Sequence, residues 1–304
     1  MNYQEIIDTL YAQIKAADNS GAVADYIPEL AKVNPDNFGI CLTTVSGEQY
    51  GAGDWEKPFS IQSIAKVFSL TYAYSQKGGE LWERLGVEPS GTAFNSLVQL
   101  ESDNGIPRNP FINAGAMVVC DELISLLESP KEEFLAFLRT VSGNKALDYS
   151  THITNSEKSV GYRNFALCNF LKSYGNIHNE VDEVIDFYFN LCSIEMNCTE
   201  LSRTGLYLAN HGRLPHDNTE ILTISRTKRI NAIMQTCGFY DESGDFAYRV
   251  GLPGKSGVGG GIMAIRPGQY SIVVWSPNLN IKGNSHRGML FLEAFTTKTE
   301  DSIF

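Results

Sequence analysis

The sequence predicts an α+β fold, in which an antiparallel sheet domain flanked by helices holds an all-helical inserted domain. Strand-like segments occur near both ends of the chain, helical periodicity fills the stretch between them, and 304 residues suffice for a substantial core. We therefore assign residues 1–62 and 238–304 to a discontinuous sheet-containing domain and residues 63–237 to a mainly helical domain. The helix that carries Ser63 lies at the junction between them.

The N-terminal part is predicted to form one helix and one hairpin. MNYQEIIDTLYAQIKAA has apolar residues at helical spacing with Glu5 and Asp8 among them, which indicates an amphipathic helix and not a signal peptide. FGICLTTVSGEQYGAGD has the pattern of two short strands joined at Ser46 and Gly47. From Trp55 onward the chain leads into the helix that carries Ser63.

Helical signals dominate from residue 63 to about residue 237. The predicted helices, most of them ended by Gly, Pro or Asn, are GELWERLG, NAGAMVVCDELISLL, PKEEFLAFLRTV, SEKSVGYRNFALCNFLKSYG, EVDEVIDFYFNLCSIEMN, TELSRTGLYLANHG and SRTKRINAIMQTCG. The tail differs, because KSGVGGGIMAIRP and GQYSIVVWSP predict strands joined at Pro267 and Gly268. NSHRGMLFLEAFTTKT then predicts a closing helix.

The composition excludes several functional classes. A formal net charge of -11 argues against nucleic acid as the main partner, because phosphate binding requires a basic face. No apolar run approaches membrane-spanning length, so we expect no membrane partner and a cytoplasmic location. The five histidines show no metal-binding spacing and the six cysteines no C-x-x-C pair, so we predict no catalytic metal and reduced, buried thiols.

The S-x-x-K pattern occurs three times and directs attention to Ser63 and Lys66. Residues three apart on a helix point the same way, so a hydroxyl and an amine become neighbours there. The string from Ser142 to Lys145 follows a predicted helix and contains a helix-ending glycine, which indicates a loop, and Ser225 opens a helix as an N-cap. Only Ser63 follows strands and begins a helix buried on one side, although it could also be a plain helix-start residue beside a surface lysine.

Residues 251–265, GLPGKSGVGGGIMAI, carry the second signal. The GKS is not a P-loop, because position 249 is arginine and a glycine run and a strand follow instead of a helix. K-S-G on a strand downstream of S-x-x-K is similar to the K-[ST]-G element of the penicillin-recognising serine enzymes. There a strand supplies a second oxyanion-binding N–H and a cation that lowers the pKa of the amine. Ser102-Asp103-Asn104 spells the S-D-N of that superfamily but is better explained as a chance turn.

Several long strings together resemble one family nearly end to end. ADYIPELAKV, FSIQSIAKVF, NGIPRNPFINAGA, SEKSVGYRNFAL, DFYFNLCSIE, CGFYD and LPGKSGVGGGI are similar to segments of the bacterial serine-dependent glutaminases and the catalytic domain of animal glutaminases. The resemblance implies a serine β-lactamase-like fold and hydrolysis of L-glutamine to L-glutamate and ammonia without a metal or organic cofactor. It also implies a homo-oligomer, a dimer or tetramer.

The resemblance assigns roles to residues of this chain. Ser63 would be the nucleophile, Lys66 its base and Tyr240 a proton relay, with the use of Lys66 or Tyr240 as base in each half-reaction left open. The substrate contacts, beside Ser63 and Tyr240, would be Asn113, Glu157, Asn164, Tyr188 and the backbone N–H of Val258. A carboxylate suits an α-ammonium, and amides and a phenol suit an α-carboxylate.

Each binding residue also has a structural explanation, with the asparagines as helix caps, Glu157 as a helix-dipole partner and Tyr188 as core. The alternatives at the level of function are a β-lactamase or peptidase, and a non-catalytic binding module on the same fold.

Overall fold

The computed structural model describes residues 1–17, 19–91 and 97–304 and centres on a five-stranded antiparallel sheet. Its strands lie in the order β2-β1-β7-β6-β5, and a separate small sheet pairs β3 with β4. The bounds are β1 Gly39–Thr44, β2 Gln49–Gly53, β3 Phe59–Ser60, β4 Glu195–Met196, β5 Gly254–Ser256, β6 Gly261–Arg266 and β7 Tyr270–Trp275. Both ends of the chain thus contribute strands to one sheet, and the predicted α+β class is confirmed.

The helices pack on both faces of this sheet. Their bounds are α1 Tyr3–Lys15, α2 Ala65–Lys77, α3 Leu97–Ser102, α4 Asn113–Leu126, α5 Pro130–Ser142, α6 Thr151–Val160, α7 Tyr162–Ser173, α8 Val181–Cys192, α9 Cys198–Thr204, α10 Leu206–Ala209, α11 Ile224–Cys237, α12 Ser243–Arg249 and α13 His286–Thr299. Helices α1 and α13 contact one another and cover one face, and α9 and α10 cover the other, with further helices beyond them.

The strands are buried on both faces because alternate residues enter two separate cores. In β7, Ile272 and Val274 join the cluster with α1 and α13, whereas Val273 and Trp275 join the cluster with the other helices. The antiparallel register places Val274 opposite Ile262, so neighbouring strands present matching faces. A strand enclosed in this way reads as a nearly continuous apolar run, which is what YSIVVW shows.

Helix α2 runs through the centre of the molecule, and its burial determines the environment of the candidate site. Val67, Phe68 and Leu70 are completely buried, and even Lys66 is only 2% exposed. Residues 65–71, the first half of α2, are all buried, so the side chain of Lys66 is held in a dry environment. The alternative of a surface lysine at this position is therefore wrong.

Several predicted elements differ in detail from the observed ones. GELWERLG forms a 3-10 helix at Gly78–Glu83, because two glycines at its start weaken an α-helix. The segment after α8 adds β4, which pairs Met196 with Phe59 and cannot be recognised from local sequence. The predicted strand KSGVGGGIMAIRP is two strands, β5 and β6, joined by a glycine-rich turn.

Candidate active site

Ser63 lies on a strained turn between β3 and α2. Gln62, directly before it, has φ of 49°, a left-handed conformation that is uncommon for a residue with a side chain. Such a conformation costs on the order of 1–3 kcal/mol and persists only where the surroundings enforce it. A 3-10 turn, Gln62–Ile64, then leads into α2, so Ser63 precedes the α-helix instead of opening it. The turn presents the Ser63 side chain toward a cavity.

The glycine-rich turn between β5 and β6 packs directly against this serine. A Cβ atom added to Gly257 would lie 2.5 Å from the Ile61 carbonyl oxygen and 3.3 Å from the Ser63 nitrogen, and one added to Gly259 would lie 2.1 Å from the Ser60 carbonyl oxygen. Only glycine permits so close an approach. Within the described residues, the backbone N–H groups of Ser63 and Val258 have no acceptor, so both remain available to a ligand.

Gly257→Ala is expected to reduce activity strongly while the protein still folds. The added methyl group must push the turn away from Ile61, and a displacement of about 1 Å at a reacting centre costs on the order of 100-fold in rate. Gly79→Ala is the matched control, since a Cβ there meets nothing within 4 Å. Steady-state kinetics on both variants would contradict this expectation if Gly257→Ala kept the wild-type kcat.

Lys66 is a buried amine, and no carboxylate of the described residues lies within hydrogen-bonding distance of it. Its Nζ donates to the Asn113 Oδ1 at 2.7 Å and to the Phe111 carbonyl oxygen at 3.3 Å, and it lies 5.7 Å from the Tyr188 ring centroid. Burial lowers the pKa of Lys66 to about 8, and the partial opposite effects of Cys192, Cys120 and Glu157 do not cancel it. An amine with this pKa is a substantial fraction neutral near physiological pH.

The two hydrogen-bond acceptors of Lys66 determine which part of its amine remains free. A neutral amine has two N–H donors and one lone pair, and both donors are occupied by Phe111 and Asn113. Among the described residues, these two hydrogen bonds fix the position of the amine, and no direct hydrogen bond joins it to Ser63. With both N–H donors occupied, the lone pair of the neutral amine is the position that can accept a proton.

Tyr240, which lines the same cavity as Ser63, has a left-handed conformation with φ of 56°. Burial raises the pKa of its hydroxyl to about 12, and hydrogen bonding with the Ser63 and Ser256 side chains opposes the rise. The phenol is therefore protonated over the whole physiological range and can donate to, or pass on a proton from, Ser63.

A cavity of about 300 Å³ brings the predicted residues together. Its lining is Tyr26, Ile27, Gln62, Ser63, Asn113, Glu157, Val160, Gly161, Arg163, Asn164, Tyr188, Cys192, Tyr240 and Val258. Seven of the eight predicted site residues are in this set. The eighth, Lys66, does not line the cavity but donates a hydrogen bond to Asn113, which does. The volume is at the small end of ligand-binding sites and suits a molecule of about ten heavy atoms.

One wall of the cavity is an ordered series of amides. The Asn113 Nδ2 donates to the Asn164 Oδ1 at 3.0 Å while its Oδ1 accepts from Lys66. These bonds leave the Nδ2 of Asn164 as a donor that can face the cavity. Asn113 begins α4 and is buried there, and Asn164 lies in the first turn of α7. Neither side chain caps its own helix, which excludes the capping explanation.

Glu157 is a buried carboxylate whose Oε1 has no hydrogen-bond partner among the described residues. It lies in the interior of α6, not in its first turn, so the helix-dipole explanation is wrong. Burial raises its pKa to about 7, and a hydrogen bond from Gln62 and the charge of Lys66 lower it only in part. A buried acceptor directed into a cavity is costly unless a ligand completes it.

The sequence analysis missed the other seven residues of the cavity wall, of which Tyr26, Gln62 and Cys192 are three. Tyr26 belongs to the string ADYIPELAKV, Gln62 is next to Ser63 and Cys192 is one turn after Tyr188 on α8. All three fall in strings that carried the resemblance, which was the available signal. Nothing in their residue types alone distinguishes them from an exposed aromatic, a turn residue and a core thiol.

The other S-x-x-K matches lie elsewhere. Ser142 ends α5 before the left-handed Gly143, as predicted. The expectation that Ser225 is an N-cap is wrong, because Thr223 caps α11 by accepting from the Arg226 N–H. Of the S-D-N match, Ser102 is the last residue of α3, and the local hydrogen bonds between Asp103 and Gln99 fit a turn.

The comparisons with known proteins agree in one family. A family model described as Glutaminase matches residues 21–304. A glutaminase of Saccharophagus degradans is 56% identical over 304 residues, which cover 100% of this chain and 99% of that protein. The solved structure of the probable glutaminase ybaS superposes with a TM-score of 0.94 at 34% identity, covering 99% of this chain and 97% of that one. Mglu in its glutamate form gives a TM-score of 0.92 at 30% identity, covering 100% and 70%.

These matches confirm the resemblance on which the site was predicted. They confirm the serine β-lactamase-like fold, because the structural match extends over the whole chain. They also favour an amidohydrolase over the alternatives of a β-lactamase, a peptidase or a non-catalytic module. The chain belongs to the glutaminase family.

Proposed function

We propose that this protein hydrolyses L-glutamine to L-glutamate and ammonia through an acyl-enzyme on Ser63. The observation that carries the proposal is the meeting of Ser63 with an unpartnered carboxylate oxygen of Glu157 in one small cavity, backed by an amine of lowered pKa at Lys66. The direct test is release of ammonia and L-glutamate in equal amounts from L-glutamine by the purified protein. A protein without such release, in the presence of L-glutamine at millimolar concentration, would refute it.

Substrate binding uses the two ends of the cavity wall for the two charges of an amino acid. The α-ammonium pairs with Glu157, which fills the vacant hydrogen-bonding position of Oε1. The α-carboxylate accepts from the amides of Asn113 and Asn164 and from the Tyr188 hydroxyl. With the amino acid end fixed, the side-chain carboxamide reaches toward Ser63. A neighbouring solved structure, Mglu, is in a glutamate form, which agrees with an amino acid ligand.

The acylation step transfers one proton and forms one bond. Neutral Lys66 takes the Oγ proton of Ser63, and the oxygen attacks the carboxamide carbon of the substrate. The tetrahedral oxyanion accepts hydrogen bonds from the N–H groups of Ser63 and Val258, which have no other acceptor among the described residues. The carbon–nitrogen bond then breaks, and the leaving ammonia takes a proton delivered by Lys66 directly or through Tyr240.

Deacylation runs the same groups in reverse. Water attacks the ester carbon, and its proton passes to Lys66, directly or through Tyr240, while the same two N–H groups hold the second oxyanion. Collapse of this intermediate restores the Ser63 hydroxyl and releases L-glutamate. The high pKa of Tyr240, about 12, favours its service as a proton relay over a lasting tyrosinate.

Glu157→Gln is expected to raise KM for L-glutamine by about 30-fold or more while kcat changes less. The variant leaves the substrate ammonium without its charged partner, and truncating one side of a buried ion pair costs about 2–5 kcal/mol. In the wild type, KM should also rise as the pH falls below about 7, because Glu157 then becomes protonated and neutral. Steady-state kinetics between pH 6 and 9 measure both effects.

Two controls separate this role from general damage. Glu128→Gln changes an exposed glutamate between α4 and α5 and should leave KM unchanged. Glutaramate, which lacks the α-amino group, should be hydrolysed equally poorly by the wild type and by Glu157→Gln. If Glu157→Gln prefers L-glutamine over glutaramate as strongly as the wild type does, the contact assigned to Glu157 is contradicted.

Cellular location, assembly and domain division extend the proposal. No helix among the described residues has both the length and the apolar character to cross a bilayer. We place the protein in the cytoplasm as a homo-oligomer, with residues 1–62 and 238–304 as one domain and residues 63–237 as the other. The membership in the glutaminase family supports the location, and the strands from both ends of the chain in one sheet support the domain division. Light scattering on the purified protein in solution measures the number of subunits.

A further inference from the structure

Lys255 of the K-S-G element is absent from the cavity wall that contains the other assigned groups. It is 0% exposed and lies on β5, behind Tyr240 as seen from the cavity. The expectation from the sequence was a cation that lowers the pKa of Lys66. Burial is the largest cause of the lowered pKa of Lys66, and the charges of the two amines also repel one another, which lowers the pKa of Lys255, so the expected influence of Lys255 on Lys66 stays a prediction.

The hydrogen bonds of Lys255 are to backbone carbonyl oxygens. Its Nζ donates to the Gly238 carbonyl oxygen at 3.0 Å and to the Ser256 carbonyl oxygen at 2.6 Å. Within the described residues no carboxylate forms an ion pair with it. Complete burial, together with the charge of Lys66, lowers the pKa of Lys255 well below its usual range. The amine therefore joins two backbone segments through its N–H donors.

These contacts connect β5 to the segment that carries the catalytic tyrosine. Gly238 lies two residues before Tyr240, and its own Cα packs so closely that an added Cβ would lie 1.8 Å from the Gly254 carbonyl oxygen. The amine also lies 4.6 Å from the centroid of the Tyr240 ring. Lys255 therefore holds both the backbone before Tyr240 and the back of its ring.

The left-handed conformation of Tyr240 explains why such support is needed. A φ of 56° is unfavourable for an aromatic residue and persists only if neighbouring contacts enforce it. Ser243 contributes by accepting from the Phe239 N–H at 3.0 Å. Without Lys255, two buried carbonyl oxygens lose a donor and the ring loses its backing, so relaxation toward an ordinary conformation would move the hydroxyl away from Ser63.

We propose that Lys255 is a positioning residue for the reaction, which holds the Tyr240 hydroxyl at Ser63 by bridging the Gly238 and Ser256 carbonyl oxygens behind the ring. Lys255 touches neither the substrate cavity nor Ser63. The inference rests on the proposed function, since it requires that Tyr240 carries a proton in the reaction. It predicts that removal of the amine impairs catalysis only through Tyr240.

A double-mutant cycle tests this coupling. Ammonia release is measured for the wild type, Lys255→Met, Tyr240→Phe and the double variant, over a range of L-glutamine concentrations. Lys255→Met should lower kcat by about 30-fold or more with KM within about threefold, in the range of lost proton-transfer catalysis. In the Tyr240→Phe background the same change should cost no more than about threefold, because the group through which it acts is already gone.

Two outcomes would overturn the inference. One is a full, multiplicative loss from Lys255→Met in both backgrounds, which indicates general structural damage. The other is a rise in KM at unchanged kcat, which indicates a substrate contact. Lys228→Met, at an exposed lysine of α11, is the matched control. If Lys255→Met does not fold, the same cycle with Lys255→Gln, which keeps two N–H donors, is decided by the same criterion.

The inference and the proposed function fail in different ways. A wild-type protein that releases no ammonia from L-glutamine refutes the proposed function, whatever the cycle shows. An active protein with an additive cycle refutes the role of Lys255 alone.

Discussion

Ser63→Ala is expected to lower the rate of ammonia release from L-glutamine by at least ~1000-fold, since removal of a covalent nucleophile leaves only binding and oxyanion stabilisation. The variant should still bind L-glutamate, because Glu157, Asn113 and Asn164 remain in the cavity wall. Ser63 makes few packing contacts that its Cβ does not also make, so the melting temperature should change little. Ammonia release and thermal unfolding measure the two quantities.

Two experiments make this result specific to Ser63. Ser225→Ala alters the serine of another S-x-x-K match, which is exposed near the start of α11, and should retain full activity. Mass spectrometry after incubation with 6-diazo-5-oxo-norleucine should find the label on Ser63 and none on the Ser63→Ala protein. A variant that keeps more than a tenth of the activity, or a label on another residue, would contradict the acyl-enzyme mechanism.

Lys66→Met should lower kcat by at least ~1000-fold, because serine needs an adjacent base. In the wild type, kcat should rise about tenfold per pH unit below the pKa of Lys66, about 8, and level off above it, since only the neutral amine accepts the serine proton. The variant has no such group, so its residual rate should lack this dependence. The pH profile of kcat for both proteins measures the change.

The same pKa also makes a prediction about stability. The amine titrates near ~10.4 in the unfolded chain and near about 8 in the folded one, so the unfolded state binds more protons between these values. Stability of the wild type should therefore rise with pH across this window, relative to Lys66→Met, by up to about 3 kcal/mol. Denaturant unfolding of both proteins at pH 8 and pH 10 measures the difference. Lys228→Met, at an exposed lysine, should parallel the wild type in both assays.

Local sequence patterns predicted the helices that bury one face and the strands that bury a continuous run of residues. Helix α1 and strand β7 are examples, since the helical period of one and the apolar run of the other directly reflect their contacts. The resemblance then located the site residues, and all but one line a single cavity. These residues are spread over nearly 200 positions, from Ser63 to Val258, so no local sequence rule could have shown that they lie together.

Features that depend on contacts distant in sequence escaped prediction. Strand β4 exists because Met196 pairs with Phe59, more than 130 residues earlier. The left-handed turns at Gln62 and Tyr240 carry no glycine or asparagine that would announce them. They persist because the surrounding structure supplies contacts that offset their strain.

The sequence by itself determined the fold class and the family and predicted the reacting groups, because these follow from periodicity and from strings of residues in a fixed order. Only the tertiary structure decided the chemical state of those groups. Burial of α2 lowers the pKa of Lys66, burial raises the pKa of Glu157, and the enclosure of Lys255 lowers the pKa of its amine. The physical reason is that desolvation depends on everything packed around a side chain, which no short stretch of sequence contains.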